Sequence, residues 1–482
     1  MKKISSFWLA GNSALGRRTL FVLVALISVR LISLGFYPLM DTTEARYGGI
    51  AKRMAEMNDW ITPWFDIGVP FWGKPPLSFW MSALGIKLFG LNEFAVRVPH
   101  FIMALFVVII CYDWAKRSLI NPFYVLAILT TSLLFMVSSG AVMTDMALCL
   151  GSTLSFRGFW LALYGAESDK KREQWLFFIG LSLMLLAKGP IGWILVLLPI
   201  SLWAIYCGAI KATWQGLPWI KGFILAIVVA MPWYLIAEQH TPGFLNYFFV
   251  GEHWQRFTVS GWNGDLYGNA HATHRGTIWL HLVLGTLPWS IIFPAIAWVY
   301  RQQINANKIT KQAELSQYLL LAGLAPCLFF TMSGNILWTY VLPGLPALAL
   351  YLALWLSRLN QLVAKKIIYL GSIFSLIVMV CAFALLTLGG KADNKSAKSI
   401  IRLYQLQNSV QPIIFIGHIP FSAKFYNHGK VFSVDTLKEI EAIAKNKPVY
   451  IAVKKDDLAK LNNQLVDLKV IGNGGEYHLY LK

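Results

Sequence analysis

The chain has 482 residues, of which 57% are hydrophobic and only 13% charged, whereas soluble domains average about 25% charged residues. With apolar runs of about 20 residues recurring along most of the length, that balance excludes an ordinary soluble domain and gives a polytopic helical membrane protein. The net charge of +19 does not mark a nucleic-acid binder, because much of the basic charge sits in short loops between apolar runs, where membrane topology requires it.

Lys2, Lys3, Arg17 and Arg18 precede the first apolar run, from about Thr19 to Pro38. No small-residue cleavage site follows it, so it reads as an uncleaved first span. Further spans are expected at 97–115, 123–141, 145–164, 175–187, 190–206, 220–238, 276–299, 316–333, 337–356 and 367–389, about eleven with the first at 19–37. The short runs 175–187 and 190–206 flank Lys188-Gly189-Pro190 and read as a tight hairpin. If the N-terminus is inside, every inside loop is basic: Lys116 and Arg117; Lys170, Lys171 and Arg172; Lys211 and Lys221; Arg301, Lys308 and Lys311; Arg358, Lys365 and Lys366. The long loops 38–96 and 239–275 then lie outside, as does the tail after about Lys391. Asp41, Glu44, Glu56, Asp59, Asp66, Glu93, Asp145, Glu238, Glu252 and Asp265 share that outer side, so a site built from acids faces outward.

The tail changes character. Pro412–Gly417, Val449–Val453 and Tyr477–Leu481 read as strands, and Thr436–Lys445 as a helix with Leu437, Ile440 and Ile443 on one face, capped by Asp435 or Thr436. The expected organisation is a transmembrane domain over 1–390 and a small external α/β domain over 391–482. The cysteines, Cys111, Cys149, Cys207, Cys327 and Cys381, form no Cys-x-x-Cys pair and read as packing residues rather than metal ligands or disulfides.

Chemistry concentrates where the chain leaves the first span. Asp41-Thr-Thr-Glu44-Ala-Arg46-Tyr47 is followed by Trp60-Ile-Thr-Pro63 and Gly73-Lys74-Pro75-Pro76. Acids at a helix start also suit its dipole, so Asp41 and Glu44 admit a capping role. Lys74, held by two prolines at the membrane surface, admits both a snorkelling role and contact with a lipid phosphate. Charged and aromatic company in the same loop favours the phosphate. The loop 239–275 adds Glu252-His253-Trp254-Gln255-Arg256-Phe257 and a run of Trp, Asn, Asp, Tyr and His from Gly261 to His271, a surface or lid suited to sugar.

In order and spacing these motifs, with Met143-Thr144-Asp145, Leu186-Ala187-Lys188-Gly189-Pro190 and Leu337-Trp338-Thr339-Tyr340-Val341-Leu342-Pro343, resemble the integral-membrane C-class glycosyltransferases. The nearest groups are the lipid A aminoarabinose transferases and the protein O-mannosyltransferases, and the resemblance runs from about residue 19 to 356. It implies the C-class architecture and transfer of a sugar from undecaprenyl phosphate to an envelope acceptor at the outer face of the inner membrane. The acceptor it implies first is lipid A or a related glycolipid, and the alternative is a protein hydroxyl. It also implies roles. Asp41, with Glu44 and supported by Asp145, would act on the acceptor. Lys74 and Arg256, then Arg46, Arg275 and Lys188, would meet the donor phosphate, and Tyr340 the phosphate or sugar. In the aminoarabinose transferases a glutamate immediately before Lys-Pro-Pro helps bind a metal with a loop histidine. Gly73 stands at that position here, which leaves His253 as the one candidate ligand and puts the metal in doubt. A lipid-sugar flippase, the reading from another class, needs polar residues along a path through both faces, whereas the carboxylates favour one.

Overall fold

The computed structural model describes residues 13–268, 271–299, 311–407, 411–427, 431–437, 439–440, 448–465 and 468–482. A hydrocarbon environment offers no water to backbone amides, so each crossing must be a helix. The first helix, α1 (Ala14–Ser33), opens with Ser13 accepting the Gly16 N–H at 3.1 Å. After a short turn-rich stretch comes α2 (Thr43–Met57), stopped by Asn58 in the left-handed conformation. A two-stranded hairpin follows, β1 (Trp64–Asp66) with β2 (Val69–Pro70). Pro75 and Pro76 forbid helix before them, and α3 (Leu77–Phe89) begins directly afterwards. Asn92 caps α4 (Glu93–Arg117) by accepting the Ala95 N–H at 2.8 Å.

The two most closely packed helices are α5 (Asp145–Tyr164) and α6 (Glu167–Lys188). Glycine makes their approach possible: a Cβ on Gly158 would lie 2.8 Å from the Glu173 carbonyl oxygen, and one on Gly180 would lie 2.5 Å from that of Gly151. Small residues at such contacts supply the van der Waals packing that replaces the hydrophobic effect in lipid. Gly189, at φ +83°, ends α6, and α7 (Ile191–Tyr206) begins two residues on. The expected hairpin at Lys188-Gly189-Pro190 is therefore present. Its first arm is longer than the apolar run, because the charged segment from Glu167 extends the same helix.

Among the described residues six helices are long and apolar enough to cross a membrane: Glu93–Arg117, Asp145–Tyr164, Trp219–His240, Lys311–Phe330, Trp338–Leu356 and Gln361–Thr387. The run expected as one span at 276–299 is a pair of helices bent by 89°, and a seventh crossing if counted as one. The run 123–141 also breaks, at Ser132, between Pro122–Thr131 and Leu133–Ser138. Phe21, Ile220, Val228, Leu370 and Ile377 are exposed, as lipid-facing side chains are.

The C-terminal residues form a five-stranded sheet of β3 (Ile413–Ile416), β4 (Val431–Val434), β5 (Tyr450–Lys454), β6 (Lys469–Gly474) and β7 (Tyr477–Leu481), ordered β4-β3-β5-β7-β6. β3 is parallel to β4 and β5, and β7 is antiparallel to β5 and β6. Three of these strands match the expected ones. The expected helix 436–445 lies mostly outside the described residues.

A six-residue helix, α8 (Phe421–Tyr426), joins this sheet to the first loop. Asp41 accepts the Ser422 N–H at 2.9 Å and the Ser422 hydroxyl. At the other end Lys52 donates to the carbonyls of Lys424, Phe425 and Asn427 at 3.2, 2.9 and 2.7 Å. An anion at the start of a helix and a cation at its end both complement its dipole. The Tyr426 hydroxyl donates to Glu93 and accepts the Leu39 N–H, and Lys424 pairs with Asp66.

Candidate active site

One polar pocket gathers helix ends and loops. Arg46 and Tyr47 come from α2, Lys74 from the proline stretch before α3, and Asp145 from the first residue of α5. Lys188 comes from the last residue of α6, and Tyr340 from the short 3-10 helix Trp338–Gly344. The loop 239–275 closes the pocket with Glu252, Arg256, Asp265, Tyr267 and His271. Glu252 lies in a π-helix, Tyr247–Gln255, a wide turn that is rare and recurs at functional sites.

The pocket is a lattice of ion pairs. The Lys74 Nζ donates to Glu252 at 2.6 Å, and Arg256 reaches the same carboxylate at 3.0 Å and Asp265 at 3.2 Å. Burial alone would raise the Glu252 pKa, but Lys74 and Arg256 outweigh it and hold the carboxyl at about 2. Lys188 donates to Asp145 at 2.6 Å and lies 4.2 Å from the centre of the Tyr340 ring. Tyr267 bridges the walls: its hydroxyl donates to the Pro70 carbonyl at 2.8 Å and accepts the Trp72 N–H at 2.9 Å. Burial pushes the His271 pKa down, helped by Arg256 and Arg46, so the ring is neutral near pH 7.

A second, more apolar compartment adjoins the first. Lys74, Lys188, Glu252, Arg256 and Tyr340 belong to both, and Ile191, Phe257 and Phe330 line only the second. The ionic cluster thus forms the wall between a polar chamber and an apolar one.

Of the residues expected from sequence, Arg46, Lys74, Asp145, Lys188, Arg256 and Tyr340 line the polar chamber. Four lie elsewhere. Asp41 is engaged by Ser422 at the start of α8 and is not on the pocket wall. Glu44 forms a two-bonded pair with Arg97 at 2.8 and 2.7 Å, and Arg97 spends its other donors on the carbonyls of Leu34, Tyr37 and Pro38. That pair fastens the end of α1 to α2 and occupies both Glu44 oxygens, away from the pocket wall. Arg275 is exposed in a turn. His253 borders the apolar compartment, and its ring nitrogens face the carbonyls of Phe248 at 2.8 Å and Lys188 at 3.2 Å.

The metal site implied by the resemblance does not fit these residues. A Cβ on Gly73 would lie 2.8 Å from the Phe71 ring, and both His253 nitrogens already point at protein carbonyls. No cluster of three or more His, Cys, Asp or Glu with metal-binding spacing exists among the described residues. Sequence reasoning missed Asp265, Tyr267 and His271 as pocket residues, and Glu252 as the partner of Lys74. The polar character of their loop was the available signal; which side chains turn inward was not legible.

Comparison with known proteins agrees with this architecture. Residues 13–248 match the family model described as dolichyl-phosphate-mannose-protein mannosyltransferase. The undecaprenyl phosphate-alpha-4-amino-4-deoxy-L-arabinose arabinosyl transferase 2 of Pseudomonas fluorescens is 29% identical over 76% of this chain and 60% of its own length. The corresponding transferase of Edwardsiella ictaluri is 28% identical over 67% and 56%. The crystal structure of ArnT from Cupriavidus metallidurans bound to undecaprenyl phosphate superposes with a TM-score of 0.79 at 18% identity, covering 97% of this chain and 98% of that one. The chain is similar in sequence to the aminoarabinose transferases and protein O-mannosyltransferases and has the fold of ArnT. It spans less than two thirds of the length of the curated aminoarabinose transferases it matches. Gly73, where the resemblance implies a glutamate before Lys-Pro-Pro, packs under Phe71.

Proposed function

We propose that this chain transfers a sugar from undecaprenyl phosphate to an envelope glycolipid, lipid A first among them, at the outer face of the inner membrane. Residues 1–390 are the transmembrane catalytic domain in this reading, and 391–482 an external unit. The two arabinosyl transferases above carry undecaprenyl phosphate in their names, and the ArnT crystal structure is titled as a complex with it. The observation that carries the reading is the shared wall of Lys74, Arg256, Lys188 and Tyr340 between an apolar and a polar chamber. A prenyl chain suits the apolar side, its phosphate the cations of the wall, and its sugar the polar side.

The reaction breaks the bond between the anomeric carbon and the donor phosphate oxygen while an acceptor oxygen attacks that carbon. Negative charge grows on the departing undecaprenyl phosphate, and preorganised Lys74 and Arg256 stabilise it where it forms. The carboxylates bear on the acceptor class. Asp145, Glu252 and Asp265 are each paired with a cation, and Glu252, held at about 2 by Lys74 and Arg256, is a poor proton acceptor. That supports an acceptor already ionised, a phosphate, over a hydroxyl that needs a base. The second reading, a protein O-glycosyltransferase, is favoured by the matched mannosyltransferase model and by neutral His271, whose lowered pKa makes it a weak base.

The deciding experiment is mass spectrometry of lipid A and of envelope proteins from cells with and without the chain. A mass increment on lipid A supports the glycolipid reading. An increment on protein alone supports the second. Donor turnover in proteoliposomes without any transport step separates both from a flippase.

A further inference from the structure

Four basic side chains line the polar chamber, and three carboxylates answer them among the described residues. Glu252 serves Lys74 and Arg256, Asp265 serves Arg256, and Asp145 serves Lys188. Arg46 has no carboxylate partner among the described residues. Its Nη1 donates to the Tyr267 carbonyl at 2.6 Å, and its Nε is buried without any hydrogen-bond partner. A guanidinium stays charged in proteins, and its planar fork matches phosphate. An uncompensated one on a cavity wall attracts an anion.

Its place in the cavity says which anion. The residues shared with the apolar compartment are where a prenyl-linked phosphate meets the wall, and Arg46 is not one of them. It lines only the polar chamber. Two contacts aim it. Its guanidinium lies 5.3 Å from the centre of the Tyr47 ring and 5.8 Å from that of Phe421. Phe421 opens α8, whose next residue, Ser422, is the one held by Asp41. The C-terminal unit therefore reaches a chamber-lining cation through the ring of Phe421.

We propose that Arg46 receives a phosphate group of the acceptor and that Phe421, from the C-terminal unit, is its positioning residue. The proposal rests on the transfer reading above and deepens it by naming the acceptor's anchor.

The test uses the full chain in nanodiscs and three probes: undecaprenyl phosphate, bisphosphorylated lipid A and the same lipid A dephosphorylated. Wild type should bind undecaprenyl phosphate and prefer the phosphorylated lipid A by roughly tenfold or more, the worth of one charge-assisted contact. Arg46→Gln should abolish that preference while shifting undecaprenyl phosphate affinity less than roughly threefold, which also certifies its fold. Phe421→Leu should weaken the preference in part, and should add nothing on top of Arg46→Gln, as coupled positions behave. Arg46→Gln losing undecaprenyl phosphate as severely as lipid A overturns the assignment, and so does a wild-type chain indifferent to lipid A phosphates. Additive effects of Phe421→Leu overturn its positioning role. A wild-type chain that binds no undecaprenyl phosphate sinks the transfer reading itself, and that result is read before any lipid A is added.

Discussion

Lys74 and Glu252 meet at 2.6 Å across 178 residues of sequence, and Arg256 closes on the same carboxylate from the next turn of its own helix. In the proposed reaction a lipid phosphate at this wall would compete with Glu252 for both cations. The carboxylate holds the two cations in place, and its charge would set how tightly such a donor is held.

Lys74→Ala should therefore weaken binding of undecaprenyl phosphate. One lost charge-assisted hydrogen bond is worth roughly 1.5–3 kcal/mol, or about 10- to 150-fold in affinity. Lys74→Arg should recover part of it, because a guanidinium fork differs in shape from an ammonium. Titration of the full chain in nanodiscs measures both. Unchanged affinity in Lys74→Ala removes this residue from the donor site.

Acid should loosen the same wall. Glu252 has a folded pKa near 2 against 4.5 for the free carboxyl. A depressed carboxylate pKa contributes stability that is fully present above the unfolded value and is lost as pH falls through the folded one. Thermal stability in detergent should fall between about pH 4.5 and pH 2, with a contribution from this group on the order of 3 kcal/mol. Glu252→Gln should be less stable at neutral pH and should lack this part of the acid loss. Parallel pH profiles for the two proteins would remove Glu252 as its source.

Glu44→Gln should act on folding rather than turnover. Arg97 is fully buried and bonded to Glu44 twice and to three carbonyls. Removing one partner of a buried pair costs roughly 3–5 kcal/mol, because a charge is left uncompensated. The expected result is a large loss of membrane-inserted protein on immunoblots. A stable Glu44→Gln chain with abolished transfer and wild-type melting would restore a catalytic role.

The sequence carries the helices and most of the cationic wall in plain view. Lys74 is marked by its prolines, and Lys188 by Gly189-Pro190, since both devices end or forbid helix at a fixed residue. Asp145 and Lys188 fall at neighbouring helix ends, which hydropathy alone places. Partner choice was not legible in the same way. Asp41 and Glu44 are three residues apart, yet one turns to Ser422 and the other to Arg97, because tertiary neighbours decide what a charged side chain near a helix start will meet. Gly73 was legible as a missing acid, while the Phe71 ring that fills its place was not. The bends at Ser132 and within 276–299 were hidden for a similar reason: a run of apolar residues reports burial, not direction.

Asp41 carries the sharpest prediction, because its motif and its surroundings point different ways. As a general base toward an acceptor hydroxyl it would be worth roughly 10²–10⁴-fold in turnover. Its carboxylate instead accepts the Ser422 N–H and hydroxyl, while its own N–H donates to the Lys395 carbonyl at 2.8 Å. Burial raises its pKa, against the two Ser422 bonds that favour the charged form. In Asp41→Asn the amide oxygen can still accept the Ser422 N–H. Its NH₂ group, however, faces a hydroxyl that already accepts the Ala397 N–H at 2.8 Å. One charge-assisted bond is lost, and the hold on α8 weakens by about 1.5–3 kcal/mol. Hydrogen exchange across 391–427 should rise. Turnover should fall by less than roughly tenfold, through the displaced contact of Phe421 with Arg46. Ser422→Ala should reproduce both effects, and the double variant should add little, since the two residues form one bond. A fall of 10²–10⁴-fold in Asp41→Asn with normal turnover in Ser422→Ala would return Asp41 to the acceptor as its base.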